Sequence, residues 1–224
     1  MTDSPAALPS GPAAPSRAAR RPLDRYDTPA PLCAAVVRAL ALPAGLRVLE
    51  PSVGAGHWVG PLLATGAELW VNDVDPAAEG LGMVPGVRRS VGRFEDLALP
   101  PGAAPFDLIV MNPPYSAIDA HLAHAMALAR RVVLVCRSTW LVAASRRATL
   151  AQLPPRQVWL PSPRPSFVPG GSTDAAPAAV LDWTVGLEAE TRFELLAWSA
   201  RPVEPGHPVE AALDAWQRAR GARR

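Results

Sequence analysis

The feature that most constrains the fold is a glycine turn set between an apolar strand pattern and a helical one. Arg47-Val48-Leu49-Glu50-Pro51 reads as a short buried strand. Ser52-Val53-Gly54-Ala55-Gly56 follows at once, and a helical pattern runs from His57 to Thr65. Glycine at such a turn lets the backbone approach a ligand closely, and the helix N-terminus then faces that ligand. The next apolar run, Glu68 to Asn72, ends in Asp73-Val74-Asp75-Pro76. Asp73 lies 19 residues after Gly54, close to the roughly 20 expected for an acid that grips a ribose diol. A nicotinamide fingerprint would need a third small residue three positions after the second glycine. Val59 occupies that position.

A second strand pattern, Phe106 to Met111, runs straight into Asn112-Pro113-Pro114-Tyr115. Its residue types suit methylation of a planar amino group, whose nitrogen is a poor nucleophile because its lone pair is delocalised. The Asn112 side-chain oxygen and the Pro113 carbonyl can accept the two amino hydrogens and aim the lone pair at an incoming methyl group. Two prolines stiffen the turn and remove its N–H groups. Tyr115 supplies a flat face for a planar substrate. A nicotinamide enzyme has no use for these four residues.

In these blocks the chain resembles S-adenosylmethionine-dependent amino-methyltransferases, most closely the small phage-type adenine-specific DNA enzymes. Tyr26-Asp27-Thr28-Pro29 looks like the family's opening motif, and Leu49 to Gly56 looks like its cofactor loop. Asn112 to Tyr115 matches the catalytic motif. Arg164-Pro165-Ser166-Phe167 with Gly170 to Asp174 is similar to a late loop. The resemblance implies S-adenosylmethionine as cofactor. Tyr26 and Thr28 would lie against its methionine end, with Glu50, Pro51, Gly54 and Gly56 along methionine and ribose. Asp73 would hold the ribose diol, with Asn112 beside the sulfonium. Catalysis would fall to Asn112, Pro113, Pro114 and Tyr115, and substrate binding to Tyr115 and Phe167. The chain departs from the pattern after the third strand, where Arg93 rather than an acid follows Gly92. The adenine contact passes to Asp96, with Glu95 or the Phe94 backbone as alternatives.

Alternating strand and helix patterns predict an α/β fold: a doubly wound, mostly parallel sheet of the Rossmann-like class I methyltransferase type. It would close with an antiparallel hairpin of 180–187 and 192–199. Helices are expected over 29–42, 57–65, 116–129 and 139–152. Three segments follow: a disordered arm (1–22), the methyltransferase domain (23–200), and a linker, short helix and basic tail (201–224).

All 22 basic residues are arginine and the net charge is +2, so basicity by itself says little about nucleic acid. No run reaches the ~20 apolar residues of a membrane span, and no hydrophobic block marks a signal peptide. Cys33 and Cys136 sit apart in apolar segments, as reduced thiols of a cytoplasmic protein would. Asp119, His121 and His124 do not make a metal set, because Asp119 and His121 point to different faces of a helix; a polar helix surface is expected there. Trp58, Trp159, Trp183 and Trp198 are expected in the core. The expected function is methyl transfer to an exocyclic amino group of adenine in DNA, with DNA as partner. The alternatives are the same chemistry on RNA, a protein glutamine or a small molecule, or a non-catalytic cofactor-binding remnant.

Overall fold

The computed structural model describes residues 26–84, 86–167, 177–187 and 190–198. The expected N-terminal arm, most of the Pro/Gly loop and the C-terminal segment lie outside the described residues. Eight strands make one sheet: β1 (Arg47–Glu50), β2 (Glu68–Asp73), β3 (Arg88–Val91), β4 (Leu108–Met111), β5 (Arg131–Arg137), β6 (Gln157–Ser162), β7 (Ala178–Thr184) and β8 (Arg192–Ala197). Their order is β3-β2-β1-β4-β5-β7-β6-β8. β1 pairs in parallel with β2 and β4, and so do β2 with β3 and β4 with β5. The ends of β1, β2 and β4 therefore meet at one edge, where ligands of such sheets bind.

β4 is apolar at every position, and β1 and β5 are apolar between polar end residues, because both faces of the central sheet are covered. Val48 and Leu69 pack with α1 (Ala30–Leu40) and α2 (Val59–Leu63) on one side. Leu49, Ile109 and Leu134 pack with α3 (Ile118–Leu128) on the other. The helix pattern at 57–65 shortens to Val59–Leu63, with Trp58 as its cap residue, whose carbonyl accepts from the Leu62 N–H at 3.0 Å.

Two expectations need correcting. The last two strands do not form a hairpin with each other. β7 is antiparallel and inserts between β5 and β6, and β8 pairs with β6 in parallel on the outer edge. Burial explains this: nearly every β7 residue is buried and needs a neighbour on both sides, whereas β8 is mostly exposed. The helix expected over 139–152 is broken into α4 (Ser138–Leu141), a 3-10 turn (Ala144–Arg146) and α5 (Arg147–Gln152). Trp140 Nε1 and Arg146 Nε both donate to Oδ1 of Asp119. Residues six apart lie on different faces of a straight helix, so both can reach one carboxylate only if the helix breaks.

Candidate functional site

The turn after β1 is built around its own N–H groups. Ser52 donates to Glu50 Oε1 (3.2 Å), Val53 to the Asn72 carbonyl (3.0 Å) and Gly54 to Asp73 Oδ2 (2.9 Å). Ala55 donates to Asp27 Oδ1 (2.9 Å) and Gly56 to the Val53 carbonyl (2.7 Å). Every N–H from Ser52 to Gly56 is thereby committed inside the protein, three of them to carboxylates. A phosphate cradle needs such groups free. This turn is not one.

Gly54 and Gly56 hold positive φ of 49° and 78°. Gly56 serves packing, because a Cβ there would meet Met83 Sδ at 2.0 Å and Gly80 Cα at 2.8 Å. The 3-10 turn Glu79–Leu81 lies against the loop, and Gly80 donates to the Gly54 carbonyl at 2.9 Å. Asn72, buried at the end of β2, ties three strand ends together. Its Nδ2 donates to the carbonyls of Pro51 (3.1 Å) and Gly92 (3.0 Å), while its Oδ1 accepts from Ser90 (2.8 Å).

Beyond the strand ends opens a cavity of about 420 Å³, within the usual range of small-molecule sites. Tyr26, Asp27, Thr28, Pro51, Gly54, Asp73 and Asn112 line it, together with Ser52, His57, Trp58, Asp75, Phe94, Glu95 and His121. Its walls carry four carboxylates (Asp27, Asp73, Asp75, Glu95) against one guanidinium, Arg93. Such a lining favours a cationic ligand.

Asn112 is fixed from the opposite side. Its Nδ2 donates to the Tyr26 carbonyl (2.6 Å) and to Thr28 Oγ1 (3.0 Å). Both amide hydrogens are used, which leaves Oδ1 as an acceptor for a ligand. Thr28 is also linked to the far wall, because His57 Nδ1 lies 2.7 Å from its carbonyl.

Four buried side-chain polar atoms lack a hydrogen-bond partner among the described residues: Glu50 Oε2, Trp58 Nε1, His121 Nδ1 and Arg137 Nε. Orphans of this kind are costly and each calls for a specific physical reason. Two belong to cavity walls, Trp58 and His121. Glu50 is 0% exposed behind the turn. Burial above all holds its carboxyl well above the usual carboxylate range, with Asp73 and Asp27 adding to the effect and the Ser52 N–H opposing it. Burial also lowers His121, against the pull of Glu95, whose Oε1 is 3.3 Å away.

The remaining expected site residues are distributed as follows. Of the tetrapeptide, Asn112 and Pro114 line the cavity and Pro113 is buried. Tyr115 stacks on Tyr26, with centroids 5.3 Å apart and planes at 25°. Asp96 is exposed and outside the lining, whereas Glu95 and Phe94 take part in it. The 3-10 turn Phe94–Asp96 buries Phe94 and turns the next two carboxylates in different directions. Phe167 is buried in the core cluster with Trp159 and Ala178 and does not line the cavity.

His121, expected on a polar helix surface, is a buried wall residue; Asp119 is exposed. Trp58 is in the core as expected, but its indole N–H faces no protein partner. Neither role had a signal in the sequence, since apolar spacing alone places a side chain inward without telling core from cavity.

No protein-family model matches the sequence, and no curated protein matches it. Solved structures do. A Listeria monocytogenes protein assigned as a class I S-adenosylmethionine-dependent methyltransferase superposes with a TM-score of 0.60 at 12% identity, over 88% of this chain and 73% of its own. A Pyrococcus horikoshii protein assigned as an RNA methyltransferase gives 0.58 at 17%, over 74% and 89%. The chain has the class I methyltransferase fold. A modification subunit assigned to a type I restriction enzyme of Vibrio vulnificus gives 0.57 at 15%, over 87% of this chain and 53% of that one. Within the class I methyltransferase fold, the cavity described above lies beyond the ends of the parallel strands.

Proposed function

We propose that this chain is an S-adenosylmethionine-dependent N-methyltransferase acting on the exocyclic amino group of adenine in DNA. One observation carries the reading. Asn112 is locked by Tyr26 and Thr28 with its amide oxygen left to accept, at the wall of a cavity whose carboxylates suit a cation.

The donor set fits this cofactor, which has a sulfonium, an ammonium, a ribose diol and no phosphate. Asp73 would hold the diol; each of its oxygens already accepts one backbone N–H, from Gly54 and from Asp75, and keeps a lone pair free. The acidic wall suits the ammonium. Phe94, Glu95 and His121 would surround the adenine. When bound, the cofactor supplies an activated methyl group.

The protein's own part is positional. Asn112 Oδ1 and the Pro113 carbonyl would accept the two amino hydrogens, drawing the nitrogen toward tetrahedral geometry. The nitrogen sheds a proton after the methyl arrives, so no dedicated base is needed. A base taken from a duplex must first be flipped out, at a cost of a few kcal/mol. The fold is shared with a modification subunit and with a protein assigned as an RNA methyltransferase alike, so DNA as substrate rests on the resemblance of Asn112 to Tyr115 to the adenine-specific motif. The two buried free thiols support action in the reducing cytoplasm. No helix among the described residues is long and apolar enough to cross a membrane.

The test is incorporation of labelled methyl groups into DNA, RNA and protein pools, with N6-methyladenine read by mass spectrometry. Label in DNA that Asn112→Ala removes is the expected result. Label confined to RNA or protein refutes the substrate, and no cofactor binding at all refutes the reading as a whole.

A further inference from the structure

Arg137 ends β5, the strand next to the one that carries Asn112. Its guanidinium carbon lies 4.5 Å over the Tyr115 ring. Its Nε is buried without a hydrogen-bond partner, and among the described residues no carboxylate lies within ion-pairing distance of it. Arg131, at the other end of the same strand, shows the usual arrangement. It binds Asp182 through two parallel hydrogen bonds of 2.9 Å.

A guanidinium stays charged at any relevant pH and presents a planar fork matched to phosphate or carboxylate. Stacking on Tyr115 compensates part of its lost hydration but satisfies none of its N–H groups. The residue is therefore half-buried and charged, with its Nε unpaired among the described residues, and is packed on the ring that follows Asn112, Pro113 and Pro114. Tyr26 already stacks on that ring and is held through its carbonyl by Asn112. Among the described residues, the Arg137 side chain has no comparable hydrogen-bonded anchor.

We propose that Arg137 binds the phosphate adjoining the target adenine, making it a positioning residue for the substrate rather than a packing residue for Tyr115. The inference rests on the amino-methyltransferase reading and narrows its substrate to one that bears its own anion. A nucleotide places a phosphate one sugar away from a base whose amino group is held at Asn112. A glutamine side chain carries no charge of its own. The phosphate is either a phosphodiester of a strand or the terminal group of a free nucleotide, and both present the same oxygens to the fork.

The experiment uses the full chain with S-adenosylhomocysteine bound. Affinity for an adenine-containing oligodeoxynucleotide is measured by fluorescence anisotropy across a sodium chloride series, for wild type, Arg137→Gln and Arg137→Lys. Arg137→Gln should weaken binding about tenfold, the size of one charge-assisted hydrogen bond. The slope of log affinity on log salt should fall by about 0.7 for a single strand. Arg137→Lys should keep the slope and recover part of the affinity.

Methyl transfer to deoxyadenosine and to its 5′-monophosphate separates the two sources. A loss with the mononucleotide assigns a terminal phosphate, and a loss confined to the oligonucleotide assigns a phosphodiester. An unchanged salt slope in Arg137→Gln, or an equal loss on deoxyadenosine, overturns the inference while leaving DNA methylation standing. A wild type that binds cofactor but neither binds nor methylates the oligonucleotide overturns the substrate reading, and this inference with it. Unchanged S-adenosylhomocysteine affinity of the variants shows that they are folded.

Discussion

Asn112 illustrates how a single side chain acquires a direction. An amide offers a donor end and an acceptor end, and the two acceptors supplied by Tyr26 and Thr28 decide which end faces the ligand. Thr28→Val removes one of them without changing shape. Its expected effect is a drop in kcat of about tenfold, the worth of one ordinary hydrogen bond, measured in steady-state assays at saturating cofactor. Glu50 is governed by burial instead. Its folded-state pKa is raised above the unfolded value, so the protonated form stabilises the fold. That stability is complete below the unfolded value of about 4.3 and is lost as pH rises toward the raised folded value, by up to ~1.4 kcal/mol per pH unit. Denaturant unfolding of the ligand-free protein should show this decline in wild type, and Glu50→Gln should flatten it. A variant with the wild-type slope would dismiss Glu50 as its source.

At the scale of elements, a close approach shapes the cavity wall and a buried pair secures the sheet. Gly80 brings the 3-10 turn Glu79–Leu81 against the glycine turn, and a Cβ there would meet Val53 Cγ2 at 2.5 Å and Gly56 Cα at 2.8 Å. Gly80→Ala should therefore cost about 1–3 kcal/mol, as overpacking does. It should also weaken S-adenosylhomocysteine binding measured calorimetrically, because the backbone that gives way is the ligand's own wall. β7 depends on Asp182, which is 1% exposed and held by Arg131, with Arg156 3.8 Å away. Removing one partner of a buried pair leaves a charge uncompensated, so Asp182→Ala should lose about 3–5 kcal/mol in chemical denaturation. The buried pair lies between β5 and β7, which is the pairing that replaces the expected hairpin. The spacing of β7 and β8 resembled two strands around a turn, but the pairing partner was decided by which strand had both faces to bury.

For the molecule as a whole, the cavity's chemistry selects the ligand. With five successive turn N–H groups committed internally and four carboxylates on the walls, an anionic dinucleotide finds neither donors nor a favourable field. S-adenosylhomocysteine at one hundred times its Kd should stabilise the fold by about 2.7 kcal/mol. Melting should rise by about 2–4 °C for each of those kcal/mol in a domain of this size. NADH at the same concentration should leave Tm unchanged. A shift with NADH and none with S-adenosylhomocysteine would contradict the account of the turn.

Strand, glycine turn, helix and strand-end acid were legible along the chain because each depends on neighbours in sequence: apolar runs, φ freedom at Gly54 and the distance to Asp73. The tetrapeptide at 112–115 was legible for the same reason. Tertiary structure alone decided that Glu95 rather than Asp96 reaches the cavity, that Phe167 packs in the core, and that Trp58 and His121 belong to the cavity wall. Those outcomes depend on what lies across the sheet ends from each side chain. Local pattern can place a residue on the inward face; only the packing of distant segments determines whether that face meets another side chain or an opening.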